Sequence, residues 1–287
     1  MAIGDVSLTG AMRANLVSLQ QTATLMGQTQ DRLSTGKRVN SALDNPANFF
    51  AAREHTQRAN LLNGLKDNIN EAIQSVKAAD KAVTAITKMI EGLRGQLTQA
   101  RTALGDATAS GDLLSGIASG YNEMIRQINN LQQDSTYKGL TFLASGTTLT
   151  VNFNETSTTK LIMSGFDGTS SGLGISGGTV SGYGGLVMTD SSSTSGIDGI
   201  ENSLNAALAT LRKESATLAN NLTILSIRQS FITDMVNTLA EGADKLTLAD
   251  TNEEGANMLM LQTRQQLGTT SLSLASQAAQ SVLRLFG

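Results

Sequence analysis

A mostly α fold is predicted: a long antiparallel coiled-coil or helical-bundle rod made from both ends of the chain, with a small β-hairpin and a Gly/Ser/Thr-rich outer region. Three observations predict it. Apolar residues step by alternating threes and fours on both sides of a polar middle, which is the period of a helix seam. Only seven Phe, three Tyr and no Trp occur in 287 residues, so the core is built from Ala, Leu, Ile and Val and not from large rings. From Ser164 to Gly196, 23 of 33 residues are Ser, Thr or Gly, a stretch that buries little and belongs in exposed loops.

The strongest seam runs Leu62, Leu65, Ile69, Ala72, Val76, Ala79, Val83, Ile86, Ile90, Leu93, Leu97, Ala100 and Leu104 without a miss. Asn45-Pro46 marks its helix start, with Asn45 as cap and Pro46 at the first helical position. Over 62–104 alone the helix is roughly 60 Å long at 1.5 Å per residue. A second seam, Leu114, Ile117, Tyr121, Met124, Ile128 and Leu131, is weakened by Gly116 and Gly120. A third runs from Ile197 through Leu204, Leu211, Leu218, Leu225 and Ile232 to Leu239, with Ser215 and Gln229 as interruptions. One such seam is unstable alone, but three can close a bundle. Between them, Leu149, Val151 and Phe153 alternate with polar residues, and Leu161–Met163 follows after Asn154–Ser157, the pattern of a hairpin.

The ends differ from the rod. Met12, Leu16, Leu19, Ala23, Met26 and Leu33 form one stripe, and Met260, Leu267, Leu274, Ala278, Val282 and Leu285 another, opened by a Thr251/Glu254 capping box. Residues 1–30 carry only Asp5 and Arg13 as charges, and 257–287 only Arg264 and Arg284, against fourteen in 44–104. An apolar stripe with so little charge around it suits a helix buried against partners better than one facing water.

Several functions find no support. The net charge of −3 comes without a basic block, so no nucleic-acid partner is expected. With no Cys, thiolate metal sites are out of reach. His55 is the single histidine, read as part of a solvated face with Arg53 and Glu54, so no catalytic or metal site and no cofactor is expected. Gly172 to Gly177 matches G-x-G-x-x-G but no helical pattern follows, as dinucleotide binding requires. Asn154-Glu155-Thr156 and Asn221-Leu222-Thr223 match the glycosylation pattern by coincidence. The start, MAIGDVSLTG, has no basic n-region or apolar run of a cleavable signal peptide, and no stretch reaches the roughly 20 apolar residues of a membrane helix.

Residues 32–47 read Arg-Leu-Ser-Thr-Gly-Lys-Arg-Val-Asn-Ser-Ala-Leu-Asp-Asn-Pro-Ala. This resembles the bacterial flagellin signature RLS[ST]GxR[IV]NSAxD, with Arg32, Leu33, Ser34, Gly36, Arg38, Asn40, Ser41 and Asp44 at its fixed positions. Asp250–Glu254, Met258, Leu261–Ala275 and Val282–Phe286 resemble the family's C-terminal block. The short middle is similar to compact, alphaproteobacterial flagellins that lack large outer domains.

The resemblance implies an extracellular structural subunit of the flagellar filament, a helical tubular homopolymer serving motility, and not an enzyme. It implies that 1–33 and 255–287 pair as terminal helices of the inner tube, with assembly seams Met12, Leu16, Leu19, Met26, Leu33, Met260, Leu267, Leu274, Val282 and Leu285. Linkers 34–45 and 241–254 lead to the helical rod 46–143 and 197–240, and 144–196 forms the hairpin and exposed variable region. Export through the flagellar type III pathway, a dedicated export chaperone, a filament cap and hook–filament junction proteins are implied as partners, without membrane insertion. The family segment recognised by a Toll-like receptor is similar to LQRVRELAVQ and aligns with Ile90–Gln99; its contact Arg and Leu become Gly92 and Gln96 while Arg94 is kept, which implies weak or absent recognition. A hook–filament junction protein shares similar terminal helices and is the alternative. A signalling coiled coil is a more distant one, since it would need a membrane segment or sensor domain.

Overall fold

The computed structural model describes residues 10–105, 111–175 and 193–286. Five helices and one hairpin follow in the order α1 (Gly10–Thr35), α2 (Pro46–Gly105), α3 (Gly111–Asp134), β1 (Thr148–Asn152), β2 (Lys160–Ser164), α4 (Ser193–Thr247) and α5 (Thr251–Phe286). They form two compact units, residues 1–59 with 237–287 and residues 60–236. The loops joining α1 to α2 and α4 to α5 are shorter than the expected linkers, because helix persists through Thr35 and through 241–247.

In the unit of residues 60–236, the predicted seam of α2 is the core: Ile69, Ile86, Ile90, Leu93 and Ala100 are wholly buried. Ile73 and Ala82, off that seam, are buried too. A single coiled-coil stripe would leave them wet, so α2 is covered on more than one side. Helix α4 runs antiparallel to α2, as cross-helix pairs show. Gln229 donates to Asn70 Oδ1 at 2.7 Å, Ser215 to Asp80 Oδ1 at 3.2 Å, and Arg101 pairs with Asp198 and Glu201. The two interruptions of the third seam, Ser215 and Gln229, are therefore filled by side-chain hydrogen bonds that satisfy their polar atoms.

Helix α3 closes the bundle. A glycine on each helix lets α2 and α3 approach, since a Cβ on Gly92 of α2 would lie 3.2 Å from Met124 Sδ and one on Gly120 of α3 would lie 3.2 Å from Gln96 Nε2. Tyr121 and Ile128 are buried between these contacts and the core.

The hairpin pairs Thr148 with Ser164 through Asn152 with Lys160, antiparallel, and buries Val151 and Met163 on one face. Arg228 of α4 sits 5.0 Å from the centre of the Phe153 ring, a cation–π contact. On the other side Lys138 reaches Glu71 of α2 at 2.8 Å.

The expectation that 164–196 is exposed fails for its first third. Gly165 donates to Thr147 O at 2.7 Å, Phe166 to Phe142 O at 2.9 Å and Gly168 to Leu143 O at 2.9 Å. Leu173 and Ile175 are buried. Glycine makes this packing possible: a Cβ on Gly165 would stand 2.6 Å from Phe142 O, closer than van der Waals contact allows. The G-x-G-x-x-G match begins in this packed segment, where Gly172 lies against the Asp167 side chain. The rest of the expected variable region, 176–192, lies outside the described residues.

Candidate functional site

The unit formed by residues 1–59 and 237–287 carries the residues singled out by the resemblance. Helices α1 and α5 pack on each other. On α1 the buried positions are Met12, Thr22 and Thr29, with Leu19, Met26 and Leu33 half-buried. Leu16 is 39% exposed and Ala23 is exposed. The inward seam is thus 12, 15, 19, 22, 26, 29 and 33, offset in part from the expected stripe. Polar residues enter it because their groups are satisfied there: Thr22 donates to Ser18 O at 2.8 Å and Asn15 Nδ2 to Gly268 O at 3.3 Å.

On α5 the difference is larger. Glu254 and Leu261 are buried, and Gly268 lies against Leu19. The expected stripe points elsewhere: Met260 is 45% exposed, Leu267 66% and Leu274 61%. Side chains of Val282 and Leu285 lie outside the described residues. The structure therefore splits the eight described residues of the expected seams between a face joining α1 to α5 and an outward apolar face.

The start of α5 also departs from the expected capping box. Asp250, not Thr251, is the cap: its Oδ1 accepts from Asn252 N at 2.8 Å and Glu253 N at 3.3 Å. An Asp carboxylate at this position satisfies free helix donors and the helix dipole together. Glu254 is thereby released for a long-range contact. Its Oε1 accepts from Arg32 Nη1 at 3.0 Å, with the Glu254 side chain only 7% exposed. No sequence signal links these residues, which stand 222 positions apart.

The remaining signature residues build the connection between α1 and α2. Gly36 has φ of +68°, a conformation that costs glycine little, and its carbonyl accepts from Ala249 N at 3.0 Å. Arg38 N and Val39 N both donate to Thr247 O, at 2.7 and 3.2 Å, and Lys37 bridges to Leu248. The two inter-helix connections are pinned side by side. Ser34 Oγ closes the helix end on Asp31 O at 3.0 Å. Asp44 Oδ2 accepts from Asn40 N at 3.0 Å, Ser41 N at 2.9 Å and Ser41 Oγ at 3.1 Å. The Ser41 and Asn40 backbone donors hold the Asp44 carboxyl below the usual carboxylate range. Asn45 then caps α2 by accepting from Asn48 N at 3.1 Å, as Asn-Pro predicted.

His55 does not stand on a freely solvated face. It is half-buried, and its Cδ2 lies 3.7 Å from where a Cβ on Gly242 would sit. In the other unit, Gly92 and Gln96 meet α3, while Arg94 is exposed and stands 4.0 Å from Glu201. Gly92 and Gln96 thus face Met124 and Gly120 of α3.

Comparison with known proteins identifies the family. The bacterial flagellin N-terminal helical region matches residues 6–148. Flagellin FljM of Caulobacter vibrioides is 27% identical over 289 residues, covering 100% of both chains. The flagellin of Brucella melitensis is 26% identical over 279 residues, covering 94% of this chain and 95% of its own. The chain belongs to the bacterial flagellin family. Two of these relatives are alphaproteobacterial and of similar length, as the compact middle suggested. A crystal structure of Bacillus cereus flagellin matches 57% of this flagellin and 88% of its own chain, at 16% identity and a TM-score of 0.46. Flagellins are structural proteins, and this flagellin is a structural subunit of the extracellular flagellar filament.

Proposed function

We propose that this flagellin polymerises through the outward apolar faces of α1 and α5, with no catalytic role. One observation carries the reading. The two helices already pack together, yet Leu16, Val17 and Leu25 on α1 and Leu259, Met260, Leu267 and Leu274 on α5 remain exposed. Helices with so few charges do not keep such faces in water when a partner is available. Repetition of one head-to-tail contact generates an open helical polymer.

In this reading, 1–33 and 255–287 form the inner-tube assembly domain, and 46–143 with 197–240 the surrounding rod layer. The subunit leaves the cell through the flagellar export route, with an export chaperone, the filament cap and hook–filament junction proteins as partners. Toll-like receptor recognition is weak or absent, because Gly92 and Gln96 supply no outward contact and Arg94 stands beside Glu201. A reporter-cell response equal to that of a receptor-competent flagellin would refute that part.

Electron microscopy of the purified chain tests the main reading. Long filaments are expected from the full chain and none from a chain lacking 257–287. Filaments of normal diameter from the truncated chain would place assembly elsewhere. A hook–filament junction protein would give no long polymer even when intact.

A further inference from the structure

We propose that Leu19 is a positioning residue for assembly: seated on Gly268, it selects which of two neighbouring rows of α5 packs inward and so keeps the leucine row free for a second copy of this chain. The inference rests on the polymerisation reading above. Residues a heptad apart stack along a helix, and adjacent residues stand roughly 100° apart around it. Glu254, Leu261, Gly268 and Ala275 form one such row of α5, and Glu253, Met260, Leu267 and Leu274 the next. The first faces α1, with Glu254 and Leu261 buried and Gly268 against Leu19. The second is exposed along its whole length.

Apolar burial alone would choose the opposite arrangement. The outward row offers three large apolar side chains and the inward row only Leu261, and burial favours the richer row. Charge does not decide the matter either. Each row opens on a glutamate, so the ion pair with Arg32, made here by Glu254 at 3.0 Å, does not by itself distinguish them. What differs is the residue brought over Leu19. A Cβ on Gly268 already stands 2.6 Å from Leu19 Cδ2 and 3.0 Å from its Cγ, closer than van der Waals contact allows. Turning α5 by one residue would bring Leu267 to that place, and a whole leucine does not enter where a single methyl is overpacked. Asn15, one turn before Leu19, adds to the choice by donating to the Gly268 carbonyl at 3.3 Å. Two residues of α1 thus converge on one glycine, and Leu267 stays outside at 66% exposure.

The test exploits the absence of cysteine. Met26 and Leu261 lie one heptad along from Leu19 and Gly268 on the same two rows. Met26→Cys with Leu261→Cys therefore reports the observed packing, and Met26→Cys with Met260→Cys the turned one. Full-length chains carrying each pair are oxidised mildly at high dilution, and the rate of intramolecular closure is followed. The first pair is expected to close severalfold faster than the second. Leu19→Ala makes room for Leu267 and should abolish or reverse that preference, whereas Leu19→Met, which keeps the bulk, should retain it. Without the cysteines, Leu19→Ala should raise the critical concentration for assembly roughly tenfold, because only chains with the leucine row outward add to the polymer. A first pair that closes no faster than the second, or a preference that survives Leu19→Ala, overturns the proposal. Slower closure of both pairs at an unchanged ratio does so too, since Leu19 would then only stabilise the helix pair. Failure of the unaltered chain to form filaments sinks the polymerisation reading itself and leaves the closure ratio as it is.

Discussion

Leu19 of α1 lies directly over Gly268 of α5: a Cβ built on Gly268 would stand 2.6 Å from Leu19 Cδ2 and 3.0 Å from its Cγ. Gly268→Ala brings two opposing effects. Helix propensity gains about 1 kcal/mol, while overpacking costs about 1–3 kcal/mol. Cγ cannot swing clear as a terminal methyl can, so packing wins and a net loss of about 1 kcal/mol is expected. Leu19→Ala alone also weakens the pair. Combined, the two changes should cost less than their sum, because the smaller residue makes room for the added methyl. Filament melting temperatures of the four proteins measure this coupling, and strict additivity would show that the contact does not set the α1–α5 spacing.

Leu267 and Leu93 should separate assembly from folding. Leu93 is wholly buried and Leu267 is 66% exposed within the chain. Leu93→Ala is expected to destabilise the monomer by about 2–5 kcal/mol. Leu267→Ala should change monomer stability by less than about 0.5 kcal/mol yet raise the critical concentration for polymerisation. Monomer melting and sedimentation of the polymer read the two effects. Equal loss of monomer stability in both variants would place Leu267 in an ordinary core.

The bundle of α2, α3 and α4 was largely legible in the sequence. Ile69, Ile86, Leu93 and Ala100 keep an unbroken seam that marks the main buried face, while Ile73 and Ala82 lie buried beside it. The terminal helices gave no such choice. With almost no charged residues to mark the wet side, Leu16 and Thr22 competed for the inward face, and a threonine whose hydroxyl bonds Ser18 O wins at little cost. The Arg32–Glu254 pair was invisible because it depends on the relative register of α1 and α5, which no local spacing encodes. Leu173 and Ile175 were hidden for a different reason: composition averaged over 164–196 masks a few apolar residues that glycines allow to pack.

The Asp44 turn should be pH-sensitive in a stated direction. Its folded-state pKa is depressed by the Ser41 and Asn40 N–H donors, so its contribution is present above the unfolded value of about 3.9. That contribution is lost as pH falls through the depressed folded value. Amide hydrogen exchange at Asn40 and Ser41 should therefore accelerate selectively at acid pH, relative to the buried amides of α2. Asp44→Ala should show the fast exchange already at neutral pH. Equal protection of these amides in the variant would mean that the carboxylate does not brace the turn.

Tyr121 is the alkaline counterpart in the other unit. Its ring is almost wholly buried, and its hydroxyl finds no hydrogen-bond partner among the described residues. Burial pushes the phenol up to about 12 from 10.0, because the phenolate would have to exist without solvent. A group that ionises near 10 when unfolded and near 12 when folded leaves stability unaffected below the lower value. Between the two, the unfolded chain loses the proton first, so stability falls by up to roughly 1.4 kcal/mol per pH unit. Tyr121→Phe removes both the ionisation and the unsatisfied hydroxyl. At neutral pH it should be neutral or stabilising by about 1 kcal/mol. The decisive measurement is the difference between wild-type and variant monomer stability as pH rises from neutral to alkaline. All other lysines and tyrosines titrate in both proteins, so a gap that widens above about pH 10 isolates Tyr121. Parallel curves would show that the phenol reaches solvent in the folded chain.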